Sequence, residues 1–374
     1  MQFKDLKAQY LALKNEIDAQ IEEVIGSSSF ILGKQVAELE ERLAEYVGRK
    51  YCVSCGSGTD ALILAIMSMN AGPGDAVFVP DFTYIASAGA AAVRGAVPVF
   101  TDIDIRTFNM SPESLEYQIQ KVMKEGKLLP KAVITVDLFG QPADHDSIIP
   151  VADKYGLKVI EDAAQGFGGS IRDKKACSFG DVSVTSFFPV KPLGCYGDGG
   201  AVFTDDEKTA RRLRSLRANG RSEEDKYCND IIGINSRLDT LQAAILIPKL
   251  KAFKEYELDN VNRMAEYYTQ RLKDGFLTPA VLPGFRSSWA QYTILCKDAG
   301  ERDILQKRLK DRDIPTIVYY PRCLHRQKAF EGREYSDADY LNSMEASSRA
   351  LSLPIHPYLK DEEADMVCET ILSV

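Results

Sequence analysis

Lys158-Val159-Ile160-Glu161-Asp162-Ala163-Ala164-Gln165 reads as a short apolar strand that ends in two carboxylates and a turn. In an open α/β sheet, ligands bind outside the carboxyl ends of the strands. Asp162 falls at such an end. A carboxylate there can pair with a cationic ring nitrogen, and Gln165, three residues on, can donate to a ring oxygen. The same aspartate also suits an N-cap for the segment that follows. The neighbouring sequence decides whether such a sheet exists.

The strand pattern repeats on both sides. Upstream lie Tyr51-Cys52-Val53, Val77-Phe78-Val79, Val97-Pro98-Val99-Phe100 and Ala132-Val133-Ile134-Thr135-Val136. Downstream lie Val182-Ser183-Val184-Thr185-Ser186 and Ala201-Val202-Phe203. Helical spacing separates them. Val36, Leu39, Leu43 and Val47 predict a helix over 35–47. Leu62, Ala65, Ile66 and Met69 give another helix face, stopped by Gly72-Pro73-Gly74. A third helix is predicted over about 146–155. Short apolar strands alternating with helices predict a mostly parallel sheet wrapped by helices.

After about residue 245 the texture changes. A long charged helix is predicted over roughly 249–273, with Pro248 as a break before it. Strands are expected at 291–296 and 316–320, and helices around 302–311, 337–350 and 361–372. The expectation is an α/β chain with a large domain over 1–248 and a smaller C-terminal α+β domain over 249–374. A length of 374 residues suits two domains.

Composition narrows the function. The net charge of −8 argues against a general nucleic-acid binder, whose affinity rests on phosphate neutralisation. The basic run Arg211, Arg212, Arg214, Arg217 and Arg221 reads as a solvated helix face. No run of about 18 apolar residues is present, and the charged start, Met1 to Lys7, lacks a secretory pattern. A cytoplasmic protein without a membrane span is expected. Among eight cysteines, Cys52 and Cys55 form a lone C-x-x-C, short of the four ligands of a zinc ribbon. No metal site is expected. With only His145, His325 and His356 present, histidine is not the expected proton shuttle.

Two further stretches carry chemistry. Gly56-Ser57-Gly58-Thr59 follows a strand and opens a helix. It reads as a phosphate cup, because a helix N-terminus offers free N–H groups and glycine lets the backbone approach an anion. A tight turn with an ordinary cap is the plainer alternative. In Thr185-Ser186-Phe187-Phe188-Pro189-Val190-Lys191-Pro192-Leu193-Gly194, Lys191 is held between two prolines in an apolar loop. A desolvated lysine suits condensation with an aldehyde. A phosphate cup, an acid for a pyridinium and a lysine for an aldehyde are the three handles of pyridoxal phosphate. Tyr84 offers a ring to stack on the pyridine, or simply a core side chain.

With these motifs in place, the chain resembles the DegT/DnrJ/EryC1/StrS family of nucleotide-sugar aminotransferases, which have the type I aspartate-aminotransferase fold. The resemblance runs from Phe30-Ile31-Leu32-Gly33 through Ser57–Leu62, Phe82-Thr83-Tyr84, Glu161–Gln165 and Ser186–Lys191. It continues through Gly197-Asp198-Gly199-Gly200 and Gly233–Asp239 to Leu353-Pro354. It implies Lys191 as the lysine that binds the cofactor aldehyde and shuttles protons. It implies Asp162 at the pyridine nitrogen, Gln165 at the ring hydroxyl, Gly58, Thr59 and Ser186 at the phosphate, and Tyr84 over the ring. Asn235 matches a residue that reaches the phosphate from the neighbouring subunit, which implies a homodimer with shared active sites. Arg237 lies in a segment that meets the sugar nucleotide in relatives. Glutamate is the implied amino donor.

The sequence departs from the family at Tyr319-Tyr320, where many relatives carry His-Tyr near the sugar. The stretches 185–201 and Ala290-Gln291-Tyr292-Thr293 resemble members that aminate 3-keto sugars. The expected acceptor is a UDP-linked 2-acetamido-3-keto sugar. The alternatives are amination at C4 of a 4-keto-6-deoxy nucleotide sugar, or the chemistry of a related dehydratase. In those dehydratases a histidine replaces the lysine, whereas Lys191 is present here.

Overall fold

The computed structural model describes residues 1–225, 227–332 and 335–373. Its frame is a seven-stranded sheet. The strands are β1 (Tyr51–Cys55), β2 (Asp75–Pro80), β3 (Val97–Thr101), β4 (Leu129–Val136) and β5 (Lys158–Asp162), then, after the two-residue strands β6 (Ser170–Ile171) and β7 (Lys174–Lys175), β8 (Val182–Ser186) and β9 (Gly200–Thr204). Their order is β1-β9-β8-β5-β4-β2-β3. Only β9 runs against the rest, pairing antiparallel with β8 and β1. The strands read as continuous apolar runs because helices cover both faces. In β8 and β9 every residue is buried.

The helices of this part are α1 (Leu6–Ser27), α2 (Lys34–Val47), α3 (Gly58–Ser68), α4 (Ala86–Val93), α5 (Pro112–Glu125), α6 (His145–Lys154) and α7 (Glu207–Leu216). Five side-chain caps set their starts: Asp5 for α1, Ser57 for α3, Ser111 for α5, Asp144 for α6 and Asp206 for α7. Beyond them come α8 (Thr240–Ala252), a π turn (Phe253–Glu257) and α9 (Leu258–Leu272). The chain then forms β10 (Phe285–Arg286), which pairs with β6, followed by β11 (Tyr292–Leu295), α10 (Ala299–Lys310), α11 (Leu341–Arg349), β12 (Ala350–Leu353) and α12 (Asp361–Leu372). β11 and β12 pair with each other. No helix of the described residues is long and apolar enough to cross a membrane.

Three sequence expectations change, and one helix is added. Pro248 does not break the chain there, because α8 runs through it. A proline costs a helix interior about 3 kcal/mol, but burial of α8 from Ala243 to Leu250 outweighs that loss. The expected strand over 316–320 reduces to one bridge, Ile317 to Ser352. Past it the chain turns toward the main sheet. The basic run is not uniformly solvated either. Arg217 is buried and donates to the Glu40 carboxylate and the Ser54 carbonyl. Finally, α1 adds a helix that the periodicity does not announce, laid on α8 through Leu13 and Ile17.

Candidate active site

The carboxyl ends of β5 and β8 meet the first turn of α3 around a cavity of about 560 Å³. Gly58, Thr59, Tyr84, Asp162, Gln165, Ser186, Lys191, Tyr319 and Tyr320 all line it. Residues far apart in sequence thus share one wall, because parallel strands bring their carboxyl ends to the same edge.

The α3 end is built on close approach. Ser57 caps the helix by accepting from the Asp60 N–H at 3.0 Å. A Cβ on Gly58 would lie 2.6 Å from Ser186 Cβ, and one on Gly200 would lie 2.5 Å from the Ser57 carbonyl oxygen. Only glycines let the helix and the β8–β9 edge touch here. The first helical turn keeps N–H groups without partners inside the helix, and the Thr59 and Ser186 side chains stand beside them on the cavity wall.

Asp162 closes β5 and is buried. Its Oδ2 accepts from Ser87 Oγ at 2.8 Å and its Oδ1 from the Ala164 N–H at 3.2 Å. Burial raises its pKa, while Ser87, Ala164 and the charge of Lys191 pull it back. Lys191 lies across the cavity in the loop after β8, with its N–H bonded to the Phe188 carbonyl. Burial draws its ammonium below the usual lysine range, opposed by Asp162. A lysine so desolvated is more often neutral, and so more nucleophilic.

Gln165 has both ends engaged. Its Oε1 accepts from the Phe139 N–H at 2.8 Å, and its Nε2 donates to Tyr320 Oη at 3.0 Å. Tyr84 is half exposed, and its ring centroid stands 6.4 Å from that of Tyr320. Phe82 meets Tyr320 edge-on at 5.9 Å. The result is an aromatic wall over the cavity, facing an acid on the floor and a lysine at the side. These residues fit a phosphorylated aromatic aldehyde: the glycine cradle and hydroxyls for the phosphate, Asp162 for a ring nitrogen and Lys191 for the aldehyde.

Asn235 and Arg237 are not brought into this wall. Between them, Ser236 Oγ accepts from the Gly56 N–H at 2.9 Å and donates to Asp60 at 2.7 Å. That pins the segment to the outer side of the α3 turn and leaves Asn235 exposed. Sequence reasoning missed Ser87. Its signal is a lone hydroxyl in the run Ala86-Ser87-Ala88-Gly89-Ala90-Ala91-Ala92, where a buried polar group needs a partner. The C-x-x-C pair is buried, free and on β1, and burial raises both thiols, so neither is a reactive thiolate.

Residues 12–372 match the DegT/DnrJ/EryC1/StrS aminotransferase family. A UDP-2-acetamido-2-deoxy-3-oxo-D-glucuronate aminotransferase of Pseudomonas aeruginosa is 44% identical over 372 residues, 99% of each chain. The crystal structure of a DegT DnrJ EryC1 StrS aminotransferase from Brucella abortus superposes with a TM-score of 0.97 at 44% identity, covering 100% of this chain and 99% of that one. NtdA of Bacillus subtilis, solved with bound cofactor PMP, gives a TM-score of 0.85 at 29% identity, covering 96% and 81%.

Proposed function

Because the chain belongs to the DegT/DnrJ/EryC1/StrS aminotransferase family and is a pyridoxal-phosphate-dependent nucleotide-sugar aminotransferase, we propose that its acceptor is a UDP-linked 2-acetamido-3-keto sugar and its amino donor is glutamate. The observation that carries this reading is the convergence of Lys191, Asp162 and the Gly58–Ser186 cradle on one cavity. The similarity to the Pseudomonas enzyme, which acts on a 3-oxo sugar, supports the choice of acceptor.

Pyridoxal phosphate supplies an electron sink for the carbanion left when a proton leaves the amino-bearing carbon. The chain's residues do the rest. Lys191 Nζ takes the proton from glutamate Cα, and in the return half-reaction it delivers one to the sugar carbon that gains nitrogen. Asp162 keeps a proton on the ring nitrogen, and Gln165 contacts the ring hydroxyl. Gly58, Thr59 and Ser186 bind the phosphate, and Tyr84 covers the ring face. Arg237, Tyr319 and Tyr320 meet the nucleotide sugar.

A homodimer completes the site in this reading, with Asn235 reaching the phosphate bound by the neighbouring subunit. Asn235 is exposed on the α3 side, and apolar Phe30, Ile31 and Ile232 are exposed as well. The division into a cofactor-binding part over 1–248 and a smaller part over 249–374 belongs to the same reading. The main sheet ends at Thr204, and the β11–β12 pair begins at Tyr292.

The test is the absorbance of the protein with pyridoxal phosphate, before and after glutamate, followed by 3-keto and 4-keto UDP and dTDP sugars. A visible band that glutamate moves to the near ultraviolet, and that a UDP-3-keto sugar restores, is expected. Restoration by a 4-keto sugar alone overturns the acceptor. A band that glutamate leaves unchanged overturns the donor.

A further inference from the structure

Asp81 is the first residue after β2 and leads directly into Phe82, Thr83 and Tyr84. It is fully buried. A buried carboxylate is costly unless its oxygens are hydrogen-bonded. Its partner comes from the far end of the chain. The His325 N–H donates to Asp81 Oδ1 at 2.8 Å, and His325 Nδ1 lies 2.6 Å from Oδ2. The Leu324 N–H donates to the Asp81 carbonyl at 2.9 Å. The other face of the imidazole is also fixed: Nε2 lies 3.0 Å from Asp337, and the ring stacks on Tyr340 at 4.6 Å.

Eight residues upstream is a second anchor. Ile317 exchanges both backbone hydrogen bonds with Ser352 of β12, at 3.2 and 2.8 Å. Tyr319 and Tyr320 lie between these anchors, so one end of their segment is tied to the β11–β12 sheet and the other to the main sheet. Asp81 therefore acts on two parts of the aromatic wall. It holds Tyr84 through the chain and Tyr320 through His325. Neither Asp81 nor His325 lines the cavity.

We propose that Asp81 and His325 are a positioning pair that fixes the Tyr319–Tyr320 strap over the cavity and so sets the fit of the sugar acceptor. This rests on the reading that the two tyrosines meet the nucleotide sugar. The pairing is charge-assisted and uses both carboxylate oxygens, which gives it direction as well as strength.

The test compares His325→Leu with His325→Asn, whose amide can still donate toward Asp81, in holoenzyme. Two readouts are taken. In hydrogen exchange, His325→Leu speeds the amides of 318–325 and leaves β5 and β8 unchanged, and His325→Asn restores most of the protection. In separate half-reactions, His325→Leu raises KM for the keto sugar about tenfold or more, the loss expected for a hydrogen bond to a charged group, while the glutamate half-reaction is unchanged. Unchanged exchange at 318–325 overturns the pairing. So does an equal fall in both half-reactions, which would mark a general loss of structure. Faster exchange with an unchanged keto-sugar KM keeps the strap but overturns its role in acceptor fit. Failure of the wild-type holoenzyme on every nucleotide sugar falls on the proposed acceptor, and the exchange readout still decides the pairing.

Discussion

Ser87 Oγ donates to Asp162 Oδ2 across 2.8 Å, from a helix whose other buried residues are alanines. Burial raises the Asp162 carboxyl, and the hydroxyl opposes that rise by favouring the ionised form. Ser87→Ala removes a hydrogen bond to a charged group, worth about 1.5–3 kcal/mol. The Asp162 carboxyl then titrates higher, so the acidic limb of the kcat profile moves to higher pH. A fall of about tenfold in kcat at neutral pH is expected, with cofactor still bound. A pH–rate profile of the variant matching that of the wild type would remove Ser87 from the mechanism.

Gly58→Ala places a Cβ 2.6 Å from Ser186 Cβ. The start of α3 has to back away from β8, which opens the cup. Overpacking of this kind costs about 1–3 kcal/mol. Cofactor affinity is expected to fall about tenfold, read by fluorescence titration of the apoprotein. Glutamate turnover at saturating cofactor falls less. Undiminished affinity would mean that the phosphate does not sit at this turn.

Lys191→Ala leaves the cradle and Asp162 in place. The variant is expected to bind cofactor reversibly and to fail in both half-reactions, since no other lysine among the described residues lines the cavity. Stopped-flow absorbance with glutamate measures this. Turnover comparable to wild type in the variant would refute the assigned proton carrier.

The pH dependence of stability has a separate origin. Asp137 and Glu161 are both fully buried, and burial holds both carboxyls well above the usual range near 4. Asp137 further raises Glu161 by repulsion. A raised carboxyl favours the fold while protonated. That stability is complete below the unfolded value and is lost as pH rises through the raised folded value. Asp137→Asn cannot ionise, so its Tm is expected to decline less than that of the wild type from acid to mildly alkaline pH. Parallel Tm curves would contradict this account.

The main sheet was legible because strands buried on both faces spell continuous apolar runs, as at Val133 to Val136. The meeting of Lys191, Asp162 and Gly58 at one cavity was legible because each sits in a short motif at a strand end. Ser87 was hidden because its meaning depends on Asp162, a partner fixed only by the sheet. Helix α1 was hidden because it buries only a narrow stripe, Leu13, Ile17 and Val24 with Gln9. The run Ile317-Val318-Tyr319-Tyr320 misled because β-branched and aromatic residues that suit a strand also suit an aromatic wall. Arg217 misled because its exit from solvent rests on Glu40 and Ser54, which the local charge pattern does not reveal.

Strand β9 runs against its neighbours, so the chain leaves the sheet at Ser186 and re-enters beside it at Gly200. Lys191 is thus mounted like a stone in a ring, with both ends of the setting clasped at one place. The tyrosine strap, by contrast, is tied at Ile317 to Ser352 of β12 and at His325 to Asp81 after β2. In the proposed reading, changes within residues 317–325 alter the wall that meets the acceptor while the Ser186–Gly200 clasp stays in place.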